Sequence, residues 1–324
     1  MATVAELVKS LGGMAQKRQL ARRGARDHHL TAAVQRGEVI RARQGWYTTL
    51  PPTDERVRAV RVGGRLTGIS ALIAMGCWVL GKHPLHVSVN RNSARLRSPG
   101  NRFQPIERAE VHNVVLHWDG WETRERGSTM AVSLVDALVR VVRDEPLEVA
   151  VAALDWACHT GQIDRIDFER VLLMLPRNKR AIAHWVDEGC ESLPESLART
   201  RLRLSGHKVV SQVLLGDFQR IDLVVDGCVA IEVDGEEFHR EHFARDRSKD
   251  LDITNRKLHA IRPTASAVFR EWSRVAMAIE SAIAARASGF VAVDIVAGPP
   301  PPRPSPGKPR RRPHHPSSSR EYGR

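Results

Sequence analysis

The densest chemistry in the chain lies in one short stretch, Arg220-Ile-Asp-Leu-Val-Val-Asp-Gly-Cys-Val-Ala-Ile-Glu-Val-Asp-Gly. Its two apolar runs meet at Asp226-Gly227, a pair that favours a hairpin turn because both residues tolerate positive φ. Side chains alternate faces along a strand, so the register of the hairpin decides what the acids do. A two-residue turn pairs Asp222 with Ile231 and sends Glu232 to the opposite face. A three-residue loop at Asp226–Cys228 instead pairs Asp222 with Glu232 and aligns Ile221, Leu223 and Val225 with Val233, Ile231 and Val229. The second register is preferred, because it leaves one wholly apolar face and another on which Asp222, Glu232 and Asp234 converge. Carboxylates that close repel one another unless a proton or a cation sits among them, and oxygen-only donors suit a hard divalent ion, Mg²⁺ or Mn²⁺. Glu195 offers a fourth oxygen from upstream, and His239, Arg245, Asp246 and Lys249 follow the hairpin.

The elements that must position these groups fall within residues 190–288. Hydrophobic patterning predicts a helix from about Pro194 to Leu204 and strands around Lys208–Val213, Arg220–Val225, Val229–Val233 and Leu258–Ile261. A closing helix is expected from Val268 to Arg286. Two units precede this one. In residues 1–50, Val4, Leu7, Val8 and Leu11 form one helical stripe that Gly12-Gly13 stops, and a second short helix runs from about Lys17 to Arg23. A third, about Asp27 to Arg36 with Asp27 as its N-cap, leads into strand-like Val39–Arg41 and Gly45–Thr48. Three short helices and a hairpin in that order describe a winged helix-turn-helix. Residues 51–185 alternate helical stretches (Arg56–Val62, Gly68–Met75, Met130–Val142, Leu147–His159) with extended ones (His86–Val89, Val114–His117), an α/β unit without an evident active site. Residues 297–324 carry too many prolines for either helix or sheet and read as a disordered basic arm.

In order and spacing the rear unit resembles the PD-(D/E)XK nuclease superfamily, and more closely its very-short-patch-repair-like endonuclease domains. The resemblance rests on Glu195 in Pro-Glu-Ser-Leu-Ala-Arg, Asp222 in Arg-Ile-Asp-Leu, Glu232-Val-Asp234-Gly235, Phe238-His239, Asp246-Arg-Ser-Lys-Asp250 and the terminal Leu258-His-Ala-Ile-Arg262. It implies an α/β/α sandwich of the restriction-endonuclease type and a metal-dependent phosphodiesterase. Asp222, Glu232 and Glu195 would then be metal ligands, with Asp234 completing or orienting the shell and His239 accepting a proton from the attacking water. The chain departs from the superfamily where the Lys of E-x-K stands as Asp234; Arg247, Lys249 or the metal could supply that charge.

The front half resembles the AbiEi-like type IV antitoxin family. Gly13 to Leu20, Arg36-Gly-Glu-Val-Ile-Arg41 and Gly45-Trp-Tyr47 match its winged helix, and Ile69-Ser-Ala-Leu72, His86-Val-Ser-Val and Ser133-Leu-Val-Asp136 match its second domain. On this reading His28, His29, Thr31, Gln35 and Arg36 on the third helix face the edges of bases. Lys17 and Arg18, with Arg41, Arg43 and Gln44 on the wing, meet phosphates.

Charge agrees with a polyanionic partner. The 324 residues carry a net charge of +13, and its distribution matters more than its size. Residues 1–50 hold nine Lys and Arg against three acids, 51–100 eight against two, and 301–324 seven against one, so the remaining chain is mildly acidic. The four cysteines, Cys77, Cys158, Cys190 and Cys228, have neither CxxC spacing nor the density of a disulfide scaffold and are expected to be reduced. The longest uncharged stretch, Leu66 to Gly81, falls short of the roughly 20 apolar residues a membrane span needs. With no secretory signal pattern, a cytoplasmic location is expected. The expected partner is DNA and, through the antitoxin resemblance, a cognate toxin protein. Two function classes stay open: a Mg²⁺-dependent endonuclease, and an antitoxin-like transcriptional regulator that keeps an inactive nuclease fold. Repair of mismatched duplexes is a third reading, suggested by the rear resemblance but not by the front half. Oligomeric state is not legible in the sequence.

Overall fold

Thr3 opens the first helix with a reciprocal cap: its hydroxyl accepts from the Glu6 amide, and the Glu6 carboxylate accepts from the Thr3 amide. The computed structural model describes residues 2–108, 110–120, 123, 126–215, 219–234 and 243–287, with 110 and 243–248 described in backbone only. Its fold is mixed α/β with three small sheets among the described residues. No helix among them is long and apolar enough to cross a membrane. The tail at 297–324 and His239 lie outside the described residues.

The front unit runs α1 (Val4–Ser10), β1 (Met14–Gln16), α2 (Lys17–Ala21), α3 (Asp27–Gln35), β2 (Ile40–Arg43) and β3 (Trp46–Thr48), its strands ordered β1-β3-β2 and all antiparallel. Val8, Ala15, Leu20, Leu30, Ala33 and Val39 meet in its core. Two details differ from the sequence reading. β1 was not expected, because a three-residue strand is too short to show a period of two; it is fixed by partners, with Thr49 donating its amide and Thr48 its hydroxyl to the Gly13 carbonyl. Asp27 is the first helical residue rather than the cap; Arg26 occupies the cap position and its amide donates to His29 Nδ1.

The middle unit contains α4 (Glu55–Val62), β4 (Arg65–Leu66), α5 (Gly68–Ala74), β5 (Leu85–Asn90), β6 (Val114–Asp119), α6 (Leu134–Asp144), α7 (Leu147–His159) and α8 (Arg165–Met174). β5 lies between β4, antiparallel, and β6, parallel. The helix expected from Met130 starts at Leu134. The Ser133 hydroxyl caps it there, and the Met130 carbonyl and Val132 amide pair instead with Leu66.

In the rear unit α9 (Leu193–Leu204) precedes β7 (Val209–Leu214), β8 (Arg220–Val225) and β9 (Val229–Ile231), followed by α10 (Phe243–Asn255), β10 (His259–Ile261), α11 (Ala265–Arg270) and α12 (Trp272–Ala287). The sheet order is β10-β9-β8-β7, with only β10 and β9 parallel. Leu223, Val225, Val229 and Ile231 pack on Leu197, Leu202, Val268, Val275 and Ile279 of α9, α11 and α12. Val224 and Ala230 pack with Ile253 of α10, so helices bury both faces of the sheet. The single closing helix expected from Val268 is two helices: Thr264 caps the first, which ends at Arg270, and the second begins at Trp272. All four cysteines are unpaired, and Cys190 and Cys228 are buried.

Middle and rear units are joined through α7 and α9. Arg199 donates to Asp155 at 2.8 Å, the Ser196 hydroxyl donates to the same carboxylate at 2.5 Å, and the Asp187 amide donates to its other oxygen at 2.7 Å. Asp155 is fully buried and Arg199 is 2% exposed. Burial pushes the Asp155 carboxyl up from its ordinary value, against the pull of Arg199, Ser196 and the Asp187 amide. Removing one partner strands a buried charge. Asp155→Ala is expected to cost about 3–5 kcal/mol in denaturant unfolding. The double variant Asp155→Ala with Arg199→Met should cost less than the sum of the two single changes, because the two residues share one interaction.

At the far end of the sheet, His207 bridges Asp226 (2.7 Å) and Glu280 (2.8 Å), tying the hairpin turn to α12. Burial alone would lower this imidazole, but its hydrogen bonds to the two acids outweigh burial and raise its pKa. A raised histidine stabilises fully below its unfolded value of about 6.5, and that stability is lost as pH rises through the higher folded value. Urea midpoints of the wild type should therefore fall as pH is raised from 6 into the alkaline range, and His207→Gln should flatten that slope.

Candidate functional site

The hairpin pairs Val225 with Val229, Val224 with Ala230 and Leu223 with Ile231, leaving Asp226, Gly227 and Cys228 as the connection. Asp226 (φ 49°) and Gly227 (φ 65°) take the left-handed conformations of a tight primed turn, and the Cys228 amide closes it on the Val225 carbonyl at 3.0 Å. This is the three-residue register; the ladder ends at Leu223 and Ile231, and Asp222 and Glu232 follow it, linked through their side chains. Their backbones lock the arrangement: the Asp222 amide donates to Glu232 Oε1 at 3.3 Å, and the Val233 amide donates to Asp222 Oδ2 at 2.9 Å.

Lys249 of α10 donates its Nζ to Glu232 Oε2. A cation absent from the strand itself is thus delivered by the following helix. Glu195 stands at the start of α9, where it is 7% exposed and accepts from the Ser192 hydroxyl (2.6 Å) and the Glu191 amide (3.0 Å). Asp234 is turned toward Arg262, 3.7 Å away, and Arg262 also pairs with Asp250 at 2.8 Å. His239 lies outside the described residues, as do the side chains of Arg245, Asp246 and Arg247.

Burial is the first cause of the unusual acidity here. It pushes Glu195 up to about 7, against the Ser192 hydroxyl and with further help from the charge on Asp222. Asp222 is raised by burial, opposed by the Val233 amide and Lys249. Glu232 is raised by burial and then by Asp222, with Lys249 pulling it down. These are three mutually repelling acids with one lysine among them. Among the described residues, no three His, Cys, Asp or Glu side chains are gathered tightly enough to form a ready metal cage. The donor chemistry nonetheless fits a hard divalent cation, since the acids are oxygen-only and held at the cost of mutual repulsion that a cation relieves.

Comparison with family models finds none that matches this chain, and comparison with curated proteins finds no relative. The functional reading therefore stands on motif and geometry.

One residue of this site escaped the sequence reading. Gln212 lies on β7 opposite Asp222, between the pairs Ser211 with Leu223 and Val213 with Ile221. It directs its side-chain amide to Glu195 Oε2 at 3.5 Å and holds φ at 52°, a left-handed conformation rare for a strand residue other than glycine. Its signal was faint, a lone glutamine in an apolar strand.

The front residues divide. His28, Thr31, Gln35 and Arg36 are exposed on or just after α3, and His29 is half-buried with its ring against His28. Arg36 pairs with Glu38, and Lys17 pairs with Asp27. Arg18, Arg41 and Gln44 are exposed. Arg43 corrects the expectation of a phosphate-contacting wing tip. Its guanidinium turns inward and donates to the carbonyls of Arg61 (2.7 Å), Val62 (2.9 Å) and Arg95 (3.0 Å), beneath Gly63, where an added Cβ would stand 2.9 Å from Arg43 Nη1.

Asp222 and Glu232 carry raised pKa values, so their charged forms are held against cost at neutral pH. An acid raised on folding destabilises above its unfolded pKa, and that cost vanishes as pH falls below it. Asp222→Asn keeps an oxygen for the Val233 amide while removing one charge. It should stabilise the metal-free protein by about 1 kcal/mol at pH 7, the usual scale for relieving strain at a functional site, with the gain fading near pH 3. Urea unfolding at the two pH values measures this.

Proposed function

We propose that this chain is a DNA-binding protein of the cytoplasm whose rear unit is a very-short-patch-repair-like, PD-(D/E)XK-type endonuclease domain hydrolysing phosphodiester bonds. The observation that carries the reading is that Glu232, just past β9, accepts from both the Asp222 amide and Lys249 Nζ, with Lys249 close enough to Asp222 to pull its pKa down. That lysine replaces in space the charge that Asp234 lacks in sequence. The helix-covered sheet supports an α/β/α sandwich, and the three helices with their antiparallel strands support a winged helix at the front.

Asp222 and Glu232 would hold Mg²⁺ or Mn²⁺, with Glu195 completing the set. Such an ion, when bound, supplies Lewis acidity at the scissile phosphate. The chain's own groups do the rest. Lys249 Nζ keeps Glu232 ionised and offers positive charge to the non-bridging oxygens as negative charge develops there. The Ser192 hydroxyl and the Glu191 and Gln212 amide groups donate to Glu195 and orient its carboxylate toward that set. Arg262 restrains Asp234 at 3.7 Å.

A second reading has its own support. Lys249 neutralises Glu232 from within the chain, an arrangement that also suits a nuclease fold retained by an antitoxin-like regulator working with a cognate toxin. Cleavage decides between them. Wild-type protein with Mg²⁺ or Mn²⁺ is expected to cut at least one of plasmid, linear or mismatched DNA. Asp222→Ala and Glu232→Ala should each abolish cutting while binding persists, and the double variant should be no worse than either, since both act on one centre. Binding without cutting by the folded wild type would establish the regulator.

A further inference from the structure

The inward turn of Arg43 creates a feature that the front unit alone does not contain. A cavity of about 340 Å³ opens between the β2–β3 wing and the loop that follows β5, lined by Arg41, Arg43, Arg95, Arg97, Arg102 and Phe103, with Gln44 at its rim. Five guanidinium groups line it and no acid does. Among the described residues, none of the five forms a salt bridge. Backbone carbonyls hold three of them in place: Arg102 donates to the Arg41 carbonyl at 2.8 Å, Arg97 to Phe103 at 3.5 Å and Arg43 to Arg95 at 3.0 Å. Carbonyls orient a guanidinium but leave its charge uncompensated. The mutual stress is visible: burial, then the charge on Arg97, lowers Arg43, and burial, then Arg41, lowers Arg102.

Two further observations point to a ligand. Phe103 is 74% exposed although the Arg102 guanidinium covers one face of its ring, 4.5 Å from the centroid, so its exposed surface stands beside concentrated positive charge. Arg95 holds φ at 60°, a conformation costly for a residue with a Cβ, and its carbonyl receives Arg43. On the other side of Arg102 and Phe103, a second cavity of about 260 Å³ reaches Val34 near the end of α3 and Asn101. The two cavities share Arg41, Arg102 and Phe103.

We propose that this arginine pocket binds a nucleotide of single-stranded DNA, its phosphate among Arg41, Arg95, Arg97 and Arg102 and its base stacked on Phe103. Phosphate suits planar guanidinium forks, and an exposed aromatic ring accepts any unstacked base. The middle unit thereby becomes a second grip on DNA, preferring overhangs, frayed ends or gaps over closed duplex. The proposal deepens the DNA-binding reading above and rests on it, but it is independent of whether the rear unit cuts.

Fluorescence anisotropy of the full chain with a labelled single-stranded oligonucleotide and a blunt duplex tests it, with Mg²⁺ omitted and folding checked by circular dichroism melts. Arg95→Gln with Arg97→Gln should weaken single-strand binding about tenfold and reduce the slope of log affinity against log salt by about one, since each lost phosphate contact releases fewer counterions. Phe103→Ala, an exposed change, should weaken single-strand binding at least about fivefold, the low end of the stacking contribution per base, and leave the blunt duplex unchanged. Wild-type affinity for both DNAs in both variants would overturn the pocket while leaving DNA binding to the front unit. Equal losses on duplex and single strand in Phe103→Ala would overturn the stacked nucleotide. Failure of the wild type to bind either DNA would remove the DNA-binding reading and the pocket together.

Discussion

The buried carboxylate of Asp155 holds the rest of the site in register. It anchors α9 through Arg199 and Ser196, and so fixes the helix whose first turn carries Glu195. Through the Asp187 amide it also restrains the loop whose Asp187 side chain takes the Ser211 hydroxyl at 2.6 Å, one residue before Gln212. Both groups that meet at Glu195 Oε2 therefore hang from one ion pair. A charge so far from water is tolerable only because all its partners are present, and the same requirement makes the junction between middle and rear units specific in geometry.

Charge is distributed with a division of labour. The rear unit concentrates acids, raised by burial, around Lys249 and Arg262. The front and middle units gather arginines that burial and one another lower, with carbonyls as their supports. Each cluster is a local electrostatic conflict that the fold sustains. Such conflicts are relieved by ligands of opposite charge, a cation in the first case and a phosphate in the second. The proposed metal site and the proposed nucleotide pocket each rest on one of these two conflicts.

Much of this was legible beforehand because it is local. The stripe Val4, Leu7, Val8 and Leu11, the helix Leu147–His159 and the strand Arg220–Val225 follow from periodicity, which depends only on neighbours along the chain. The hairpin register also followed, since only a three-residue connection gathers the apolar residues on one face. Boundaries failed where a partner distant in sequence intervened, as when Leu66 captured Met130 and Val132 before α6 could start, or where the chain breaks at Glu271 between α11 and α12.

By itself the sequence determined which residue types face one another across the hairpin, because alternation along a strand and the chemistry of Asp226-Gly227 are short-range constraints. Only the tertiary structure decided that Lys249 meets Glu232, that Gln212 meets Glu195, and that Arg43 turns from the wing surface into a pocket with Arg95 and Arg97. The hydrogen bonds among them join residues from 17 to 52 positions apart. Long, flexible side chains such as Lys, Gln and Arg take their direction from whatever packing places within reach, and no periodicity in the chain encodes that direction.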